Sequence, residues 1–109
     1  MKMKTKLEFA LGIAKKAGCV LASAPLVCEG ARDHKLSLVL LAQDASENTK
    51  KKITNTCAYY KVKLYNVGLS MLELSDAVGC QRLTAAVGIK NHSVSRLVND
   101  ALQAESIKE

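Results

Sequence analysis

The stretch of residues 36–42, Leu-Ser-Leu-Val-Leu-Leu-Ala, restricts the possible folds of this chain more than any other segment. The run is far too short to span a bilayer, which takes about 20 residues of helix. Its apolar residues also continue without the polar alternation of a strand that has one face in water. A nearly continuous apolar strand is typical of a sheet that is covered on both faces. The segment therefore predicts a strand buried between two layers.

Helix-start signals recur along the rest of the chain. Residues 5–8 and 70–73 form capping boxes, in which a Thr or Ser hydroxyl accepts the N3 amide and a Glu reaches back. Residues 44–47 have the same spacing, with Asp44 in the capping position of a third helix. Pro25 suits the first turn of a second helix, because proline lacks only an amide that is unpaired there. Glycines are predicted to end two of the helices: Gly18 and Gly79.

Short segments between the helices are predicted to be strands, at residues 20–22, 36–42, 63–67 and 83–89. Side chains at helical spacing predict the buried faces of three helices. These faces are Leu7, Ala10, Leu11, Ala14 and Ala17 in the first helix, Thr49, Ile53, Cys57 and Tyr60 in the third, and Val94, Leu97, Val98, Ala101 and Leu102 in the last. The alternation predicts one α/β domain over residues 1–109, with a sheet between helical layers and its strand order left open.

The charge of the chain favours a polyanionic partner. Lys and Arg number 16 against 10 Asp and Glu, which gives a net charge of +6. The resulting pI near 9.3 permits nucleic-acid binding. Aromatic residues make up 4% of the chain, which disfavours recognition by stacking bases on rings. Glu8, Lys15 and Lys16 interrupt any leader-like apolar region, so we expect a soluble, cytoplasmic protein.

Groups suited to catalysis or metal binding are sparse. The four cysteines lie far apart and outside any Cys-x-x-Cys pair: Cys19, Cys28, Cys57 and Cys80. We therefore expect free thiols, no metal site, no cofactor and no enzyme. Asp44 and Glu47 have the spacing of an acid–base pair, but helix capping explains both. A thiol sensor remains a minor alternative, and it requires Cys19 and Cys28 within disulfide reach.

Two loops at strand ends carry polar residues beside a basic surface. Residues 43–44 follow the second strand, and residues 87–92 connect the last strand to the last helix. Ligand sites in α/β sheets favour loops beyond the carboxyl ends of strands. We therefore expect these loops to form one RNA-binding rim, in which Gly88 offers accessible backbone. Lysines 50–52 fan around the third helix, and Lys51 among them is expected to attract phosphate.

Three segments resemble the signature of a known family. They are residues 38–52, which include Gln-Asp-Ala-Ser-Glu-Asn-Thr-Lys, residues 57–60, Cys-Ala-Tyr-Tyr, and residues 11–18, Leu-Gly-Ile-Ala-Lys-Lys-Ala-Gly. They are similar to kink-turn-binding ribosomal proteins of the L7Ae/L30e type, above all to the small bacterial members. The resemblance implies a three-layer α/β/α sandwich around a four-stranded mixed sheet. It also implies a non-catalytic, ribosome-associated protein that binds a sharply bent RNA internal loop.

Members of this family contact RNA through three regions. By position these regions correspond to residues 23–29 at the second helix, 43–44 after the second strand, and 88–92 before the last helix. The RNA-binding residues implied by this correspondence and by the lysine run are Ser23, Ala24, Glu29, Gln43, Asp44, Lys51, Gly88, Lys90, Asn91 and His92. Backbone groups and short side chains would read an exposed groove there, while lysines neutralise phosphates.

The second helix departs from the family pattern. The family's usual Gly, Asn/Glu and Lys fall on Ser23, Pro25–Leu26 and Glu29 in this sequence. Leu26 offers no hydrogen bond to a guanine edge, and Glu29 repels phosphate. These departures leave a second hypothesis open, in which the chain is a protein-interaction or regulatory module that kept the fold. Leu26 and Val27 would then form an exposed apolar patch for a ribosomal or regulatory protein partner.

Overall fold

Helices and strands alternate along the chain. The computed structural model describes residues 6–107, with side chains through residue 102. In chain order the elements are α1 (Lys6–Lys16), β1 (Val20–Ala22), α2 (Ala24–Arg32), β2 (Leu38–Leu41), α3 (Glu47–Tyr60), β3 (Lys63–Asn66), α4 (Met71–Ala77), β4 (Ala86–Ile89) and α5 (His92–Ile107). The predicted alternation of helices and short strands is confirmed.

The four strands form one mixed sheet in the order β1-β4-β2-β3. Strand β4 runs antiparallel to both β1 and β2, whereas β2 and β3 are parallel. Consequently β1, β2 and β3 all end at one edge of the sheet, where β4 begins, and we call this the upper edge. The opposite edge, where β4 ends and the other strands begin, is the lower edge. The four-stranded mixed sheet expected from the resemblance is confirmed.

Helices cover both faces of the sheet, which gives the expected three layers. Because successive strand residues point to opposite faces, Leu38 and Leu40 enter one core while Val39 and Leu41 enter the other. The first core also contains side chains of α1, α4 and α5: Leu7, Leu11, Ala14, Leu74, Ala77 and Val98. The second contains side chains of α2 and α3: Val27, Ile53 and Cys57. All four β2 residues are buried, so the prediction of a strand covered on both faces is confirmed.

Three predicted strands are shorter than expected, and two helix faces are narrower. The third strand ends at Asn66 instead of Val67. The second strand spans Leu38–Leu41, and the last spans Ala86–Ile89 instead of starting at Leu83. Leu83 lies in the preceding loop with 61% of its surface exposed. Ala17 follows the end of α1 and is exposed, and Leu97 on α5 is 41% exposed. A short apolar run does not show where strand pairing stops, so these boundaries were wrong.

The capping predictions divide between confirmed and wrong. Ser70 and Glu73 form the complete capping box of α4, and Pro25 occupies the first turn of α2. The third helix, however, is capped by Ser46, whose Oγ accepts a hydrogen bond from the Thr49 amide at 3.2 Å. The predicted cap at Asp44 was therefore wrong. The capping box at residues 5–8 starts at Thr5, which lies outside the described residues.

Two further properties concern the described part of the chain. Within residues 6–107 no helix combines the length and apolarity needed to cross a membrane. Over residues 6–102, His, Cys, Asp and Glu side chains form no group of three or more that is suited to holding a metal ion. The turns that follow α1 and α4 contain Gly18 and Gly79 at positive φ, as expected for glycines that end helices.

Candidate nucleic-acid interface

Three chain segments meet at the upper edge. They are the start of α2, the loop between β2 and α3, and residues 81–85, which lead into β4. Because β4 lies between β1 and β2 in the sheet, the loop that enters β4 lies between the other two segments. The Ala42 amide donates to the Ala85 carbonyl at 2.8 Å, and the Gln43 amide donates to the Leu69 carbonyl at 2.9 Å. The first bond joins the β2–α3 loop to residues 81–85, and the second joins it to the loop that precedes α4. We call the three segments together the upper rim.

The start of α2 supplies two of the predicted residues to this rim. Ser23 caps the helix, and its Oγ accepts a hydrogen bond from the Leu26 amide at 3.3 Å. Ala24 is partly buried against the α2–α3 core. Glu29 lies further along α2 and is exposed. The predicted apolar patch of Leu26 and Val27 does not form, since Leu26 is 44% exposed but Val27 is 0% exposed.

The loop after β2 has two different roles. Gln43 uses its backbone to hold the loop, and its side chain is exposed. The Asp44 carboxylate instead accepts a hydrogen bond from the Met71 amide through Oδ1 at 2.7 Å, at the first residue of α4. Parallel pairing of β2 with β3 brings the two loops side by side, because each strand ends at the same edge. Asp44 therefore holds the start of α4 in place.

Lysines flank the rim on α3. Lys51 and Lys52 are exposed in the first half of the helix, and Lys50 is partly exposed. Successive residues are rotated by about 100° around a helix axis. The three ammonium groups therefore project in different directions, as the sequence predicts.

The sequence analysis missed two exposed residues of the loop before β4. Arg82 is exposed, and Leu83 shows 61% of its surface at the upper edge. The sequence predicts that the last strand begins at Leu83, whereas β4 begins at Ala86. The sequence does hold a signal for the loop, since Gln81 and Arg82 follow within three residues of the turn at Gly79. A polar pair at that position indicates a loop between the end of α4 and the start of the next strand.

Residues 88–92 do not join this rim. Because β4 is antiparallel to β2, its carboxyl end lies at the lower edge, opposite the end of β2. The expected single rim formed by residues 43–44 and 87–92 is therefore wrong. The sequence left the strand order open, and that order decides which loops meet.

Gly88 in particular is buried inside β4, where it pairs with Leu21 and Val39. A Cβ added to Gly88 would lie 2.8 Å from both terminal carbons of Leu36. The glycine is thus required for packing, and the expectation that its backbone is accessible was wrong.

The remaining predicted residues lie at the lower edge and are exposed. Lys90 donates its backbone amide to the Cys19 carbonyl at 2.8 Å. Asn91 Oδ1 accepts a hydrogen bond from the Val94 amide at 3.1 Å and so caps the last helix. His92 is the first residue of α5 and not part of the preceding loop.

The two cysteines of the sensor hypothesis do not pair. Cys28 on α2 faces α3, where its Sγ lies 3.7 Å from Thr56 Oγ1. Cys19 Sγ lies at the lower edge, 3.6 Å from the Ala17 carbonyl oxygen. All four cysteines are free in the part of the chain that the structure describes.

The environments of the other two thiols differ. Burial, and then the nearby Cys28, raise the pKa of Cys57 to about 11, so this thiol is protonated at neutral pH. Hydrogen bonds from the Thr84 side chain and the Arg82 backbone lower the pKa of Cys80. A thiolate is thus favoured at Cys80 over Cys57, but neither thiol belongs to a group of three or more potential metal ligands among residues 6–102.

Comparisons with known proteins agree with this architecture. Residues 5–99 match the model of the ribosomal protein L7Ae/L30e/S12e/Gadd45 family. The chain is 40% identical over 91 residues to the RNA-binding protein YlxQ of Bacillus subtilis (strain 168), covering 80% of this chain and 90% of that protein. It is 35% identical over 72 residues to the RNA-binding protein YlxQ of Enterococcus faecium, covering 66% of this chain and 69% of that protein.

Two solved structures share the fold. A protein of unknown function from Bacillus halodurans C superposes with a TM-score of 0.84 at 27% identity, over 92% of this chain and 99% of that one. The 15.5 kD RNA-binding protein of Giardia lamblia superposes with a TM-score of 0.75, over 91% of this chain and 83% of that one. At 17% identity, the second likeness shows the fold alone.

Proposed function

The chain belongs to the ribosomal protein L7Ae/L30e/S12e/Gadd45 family, and on that premise we propose that it binds structured RNA at the upper edge. The proposed target is a kink-turn-like internal loop, with ribosomal RNA as its source. Both YlxQ relatives are described as RNA-binding proteins, which supports a non-catalytic role. The observation that carries the proposal is the convergence of the α2 start, the β2–α3 loop and residues 81–85 in one rim.

The chemistry of the rim suits a distorted RNA better than a regular duplex. Proteins recognise RNA loops by contacting unstacked bases and the exposed edges that a regular helix hides. The guanidinium group of Arg82 offers a flat surface for a base, and Leu83 offers apolar contact beside it. Lys51 and Lys52 provide charge for the phosphate backbone next to the rim.

Glu29 limits the path of the RNA across α2. Its exposed carboxylate repels phosphate, so we propose that the backbone passes over the lysines of α3 instead. The Asp44 carboxylate already accepts the Met71 amide, which makes it a support for the rim and not a contact to a base. The contacts proposed for this chain are therefore Ser23, Gln43, Lys51, Arg82 and Leu83.

Fluorescence anisotropy with a kink-turn RNA and a matched straight duplex, each at two salt concentrations, tests this proposal. We expect tighter binding to the kink-turn that persists at the higher salt. Equal, steeply salt-dependent binding to both RNAs would mean that the net charge of +6 acts alone. Binding to neither RNA would contradict the proposal.

A matched pair of variants tests whether Arg82 contacts the RNA. Arg82→Gln removes one cation from the rim, and Lys16→Gln removes one from the last turn of α1, which is not one of the three segments of the rim. We expect Arg82→Gln to weaken kink-turn binding about tenfold, on the scale of a lost specific contact. Lys16→Gln should change affinity little. Equal effects of the two variants would contradict a specific contact by Arg82.

A protein-interaction module remains a second candidate, favoured by Leu26 and Leu83. These two side chains are exposed by 44% and 61%, and both belong to segments of the upper rim. Under this reading Leu83→Gln removes partner binding while it leaves RNA affinity unchanged. Under the RNA reading the same variant weakens kink-turn binding, so the anisotropy experiment separates the two.

A further inference from the structure

A pocket of about 310 Å³ opens at the lower edge of the sheet. The proposed RNA surface lies at the opposite, upper edge. It lies where β2 and β3 begin against the first turns of α5. Its lining residues are Leu36, Ser37, Leu38, Lys61, Val62, Lys63, His92, Ser95, Arg96 and Asn99. The volume falls at the lower end of the range of small-ligand pockets, about 300–1,000 Å³.

One wall of the pocket is a polar stripe on α5. His92, Ser95, Arg96 and Asn99 follow the spacing i, i+3, i+4, i+7, which places them on one face of the helix. A helix face turned toward the protein body is normally apolar. In α5 a separate apolar stripe faces the protein body, and its residue Val98 packs in the first core. The polar stripe therefore serves the pocket and not the core.

Two atoms in this wall have no hydrogen-bond partner among the described residues. Ser95 is 7% exposed, and its Oγ is unpaired. The Oδ1 atom of Asn99, one helical turn further along, is buried and unpaired as well. Buried polar atoms are almost always paired in folded proteins, so each exception requires an explanation. Two exceptions in one pocket wall leave hydrogen-bonding capacity that a ligand in the pocket can use.

The charged residues around the pocket indicate the sign of the charge on that ligand. Lys61, Lys63 and Arg96 are cations in the lining, and His92 lies beside them. None of the ten lining residues is acidic, within the part of the chain that the structure describes. The α5 helix begins at His92, so the positive end of its dipole also lies at the pocket. Each of these features favours an anion.

We propose that this pocket binds the phosphate group of a nucleotide. Arg96 and Lys63 hold the phosphate oxygens, since a guanidinium group binds phosphate through two parallel hydrogen bonds. The Asn99 carbonyl oxygen then accepts from a sugar hydroxyl or a base amino group, which inorganic phosphate lacks. The phosphate comes either from a free nucleotide or from the RNA backbone. The site is separate from the upper edge, so it adds to the proposed function.

A titration of the full chain followed by amide chemical shifts in NMR tests the proposal. The probes are adenosine monophosphate, adenosine and inorganic phosphate at constant ionic strength. We expect saturable shifts at His92, Ser95 and Arg96 with the nucleotide, weaker binding of phosphate, and none of adenosine. Equal responses to adenosine and the nucleotide would overturn the assignment of phosphate as the recognised group.

A matched pair of variants controls for net charge. Arg96→Gln removes a cation from the pocket, and Lys16→Gln removes one from α1 outside the lining. We expect Arg96→Gln to weaken nucleotide binding by about tenfold, the scale of a lost hydrogen bond to a charged group, and Lys16→Gln to leave it nearly unchanged. Equal losses in both variants would overturn a specific site.

The same variants distinguish the two sources of phosphate. If the source is a free nucleotide, Arg96→Gln leaves the affinity for kink-turn RNA unchanged. If the source is RNA, Arg96→Gln weakens RNA binding, and RNA shifts the pocket amides while the nucleotide competes for them. Either result supports the pocket. Absence of shifts at these amides with every probe and with RNA would overturn it, whatever the outcome at Arg82.

Discussion

The upper and lower edges of the sheet both display polar side chains, but the two edges differ in which of these side chains the fold itself uses. At the upper edge, Ser23 Oγ accepts the Leu26 amide and Asp44 Oδ1 accepts the Met71 amide. At the lower edge, Ser95 Oγ and Asn99 Oδ1 are buried and unpaired among the described residues. A buried polar atom without a partner is therefore stronger evidence for a ligand than a polar atom that the fold already uses.

The two edges also differ in charge. At the upper edge, Arg82 and the flanking α3 lysines lie beside the Asp44 carboxylate, and Glu29 adds a second negative charge further along α2, so cations and carboxylates are mixed. The lower pocket combines Lys61, Lys63 and Arg96 with no carboxylate among its described lining residues. The difference suits a large RNA that approaches one edge over several contacts, and a compact phosphate group held at the other.

The largest expected effect concerns Gly88, and it tests whether this glycine is required for packing or leaves its backbone accessible to a ligand. The Leu36 side chain lies between Gly30 and Gly88, and a Cβ at either glycine would approach it closely. We expect Gly88→Val to destabilise the protein by about 2–3 kcal/mol, the typical cost of overpacking a core. Urea denaturation measures the change.

Gly68→Val is the control for Gly88→Val. Gly68 is exposed, and a Cβ there meets no atom within 4 Å. We expect a change within about 0.5 kcal/mol, as for most surface substitutions. Equal destabilisation by the two variants would show that Gly88 is not specifically constrained by packing.

The next effect concerns Asp44, which distinguishes support of the upper rim from direct contact with RNA. Asp44→Ala removes the acceptor of the Met71 amide, and we expect a loss of about 1 kcal/mol, as for other helix-capping groups. Gln43→Ala, which keeps the backbone bond to Leu69, should leave the free energy of unfolding nearly unchanged. Thermal denaturation checks both. Full stability of Asp44→Ala would argue against the supporting role.

A smaller effect is expected at Glu29, where reversing the charge changes how strongly the surface of α2 attracts phosphate. Glu29→Lys replaces repulsion of phosphate by attraction on α2. We expect tighter RNA binding and a steeper salt dependence, by about one unit of slope for one added phosphate contact. Asp33→Lys makes the same charge change at the lower end of α2 and should have less effect. Anisotropy titrations over a range of salt measure the slopes.

The smallest effect concerns Ser95, and it tests whether the lower edge holds an unpaired hydroxyl. Ser95→Ala removes a buried polar atom that has no partner among the described residues, and Ser93→Ala makes the same change at an exposed position of the first turn. Because an unpaired buried polar group is unfavourable, we expect Ser95→Ala to stabilise the ligand-free protein by about 0.5 kcal/mol more than Ser93→Ala. Destabilisation by Ser95→Ala would mean that the hydroxyl is already satisfied.

The sequence by itself determined the local structure and the family. The capping box at Ser70, the proline in the first turn of α2, and the positive-φ glycines that follow α1 and α4 all depend on a few neighbouring residues. The apolar run at residues 36–42 also predicted a strand covered on both faces. Such signals are readable because the interacting groups are close along the chain. The same applies to the short motifs on which the resemblance to the L7Ae-type family rests.

Only the tertiary structure decided which polar residues meet. Antiparallel pairing of β4 with β2 places residues 90–92 at the lower edge and the loop that contains Arg82 and Leu83 at the upper one. The Asp44 carboxylate accepts a hydrogen bond from the amide of Met71, which lies 27 residues away. The polar stripe of α5 lines a pocket only because the starts of β2 and β3 lie opposite it. These outcomes depend on strand order, and strand order is set by contacts between distant segments that no local pattern encodes.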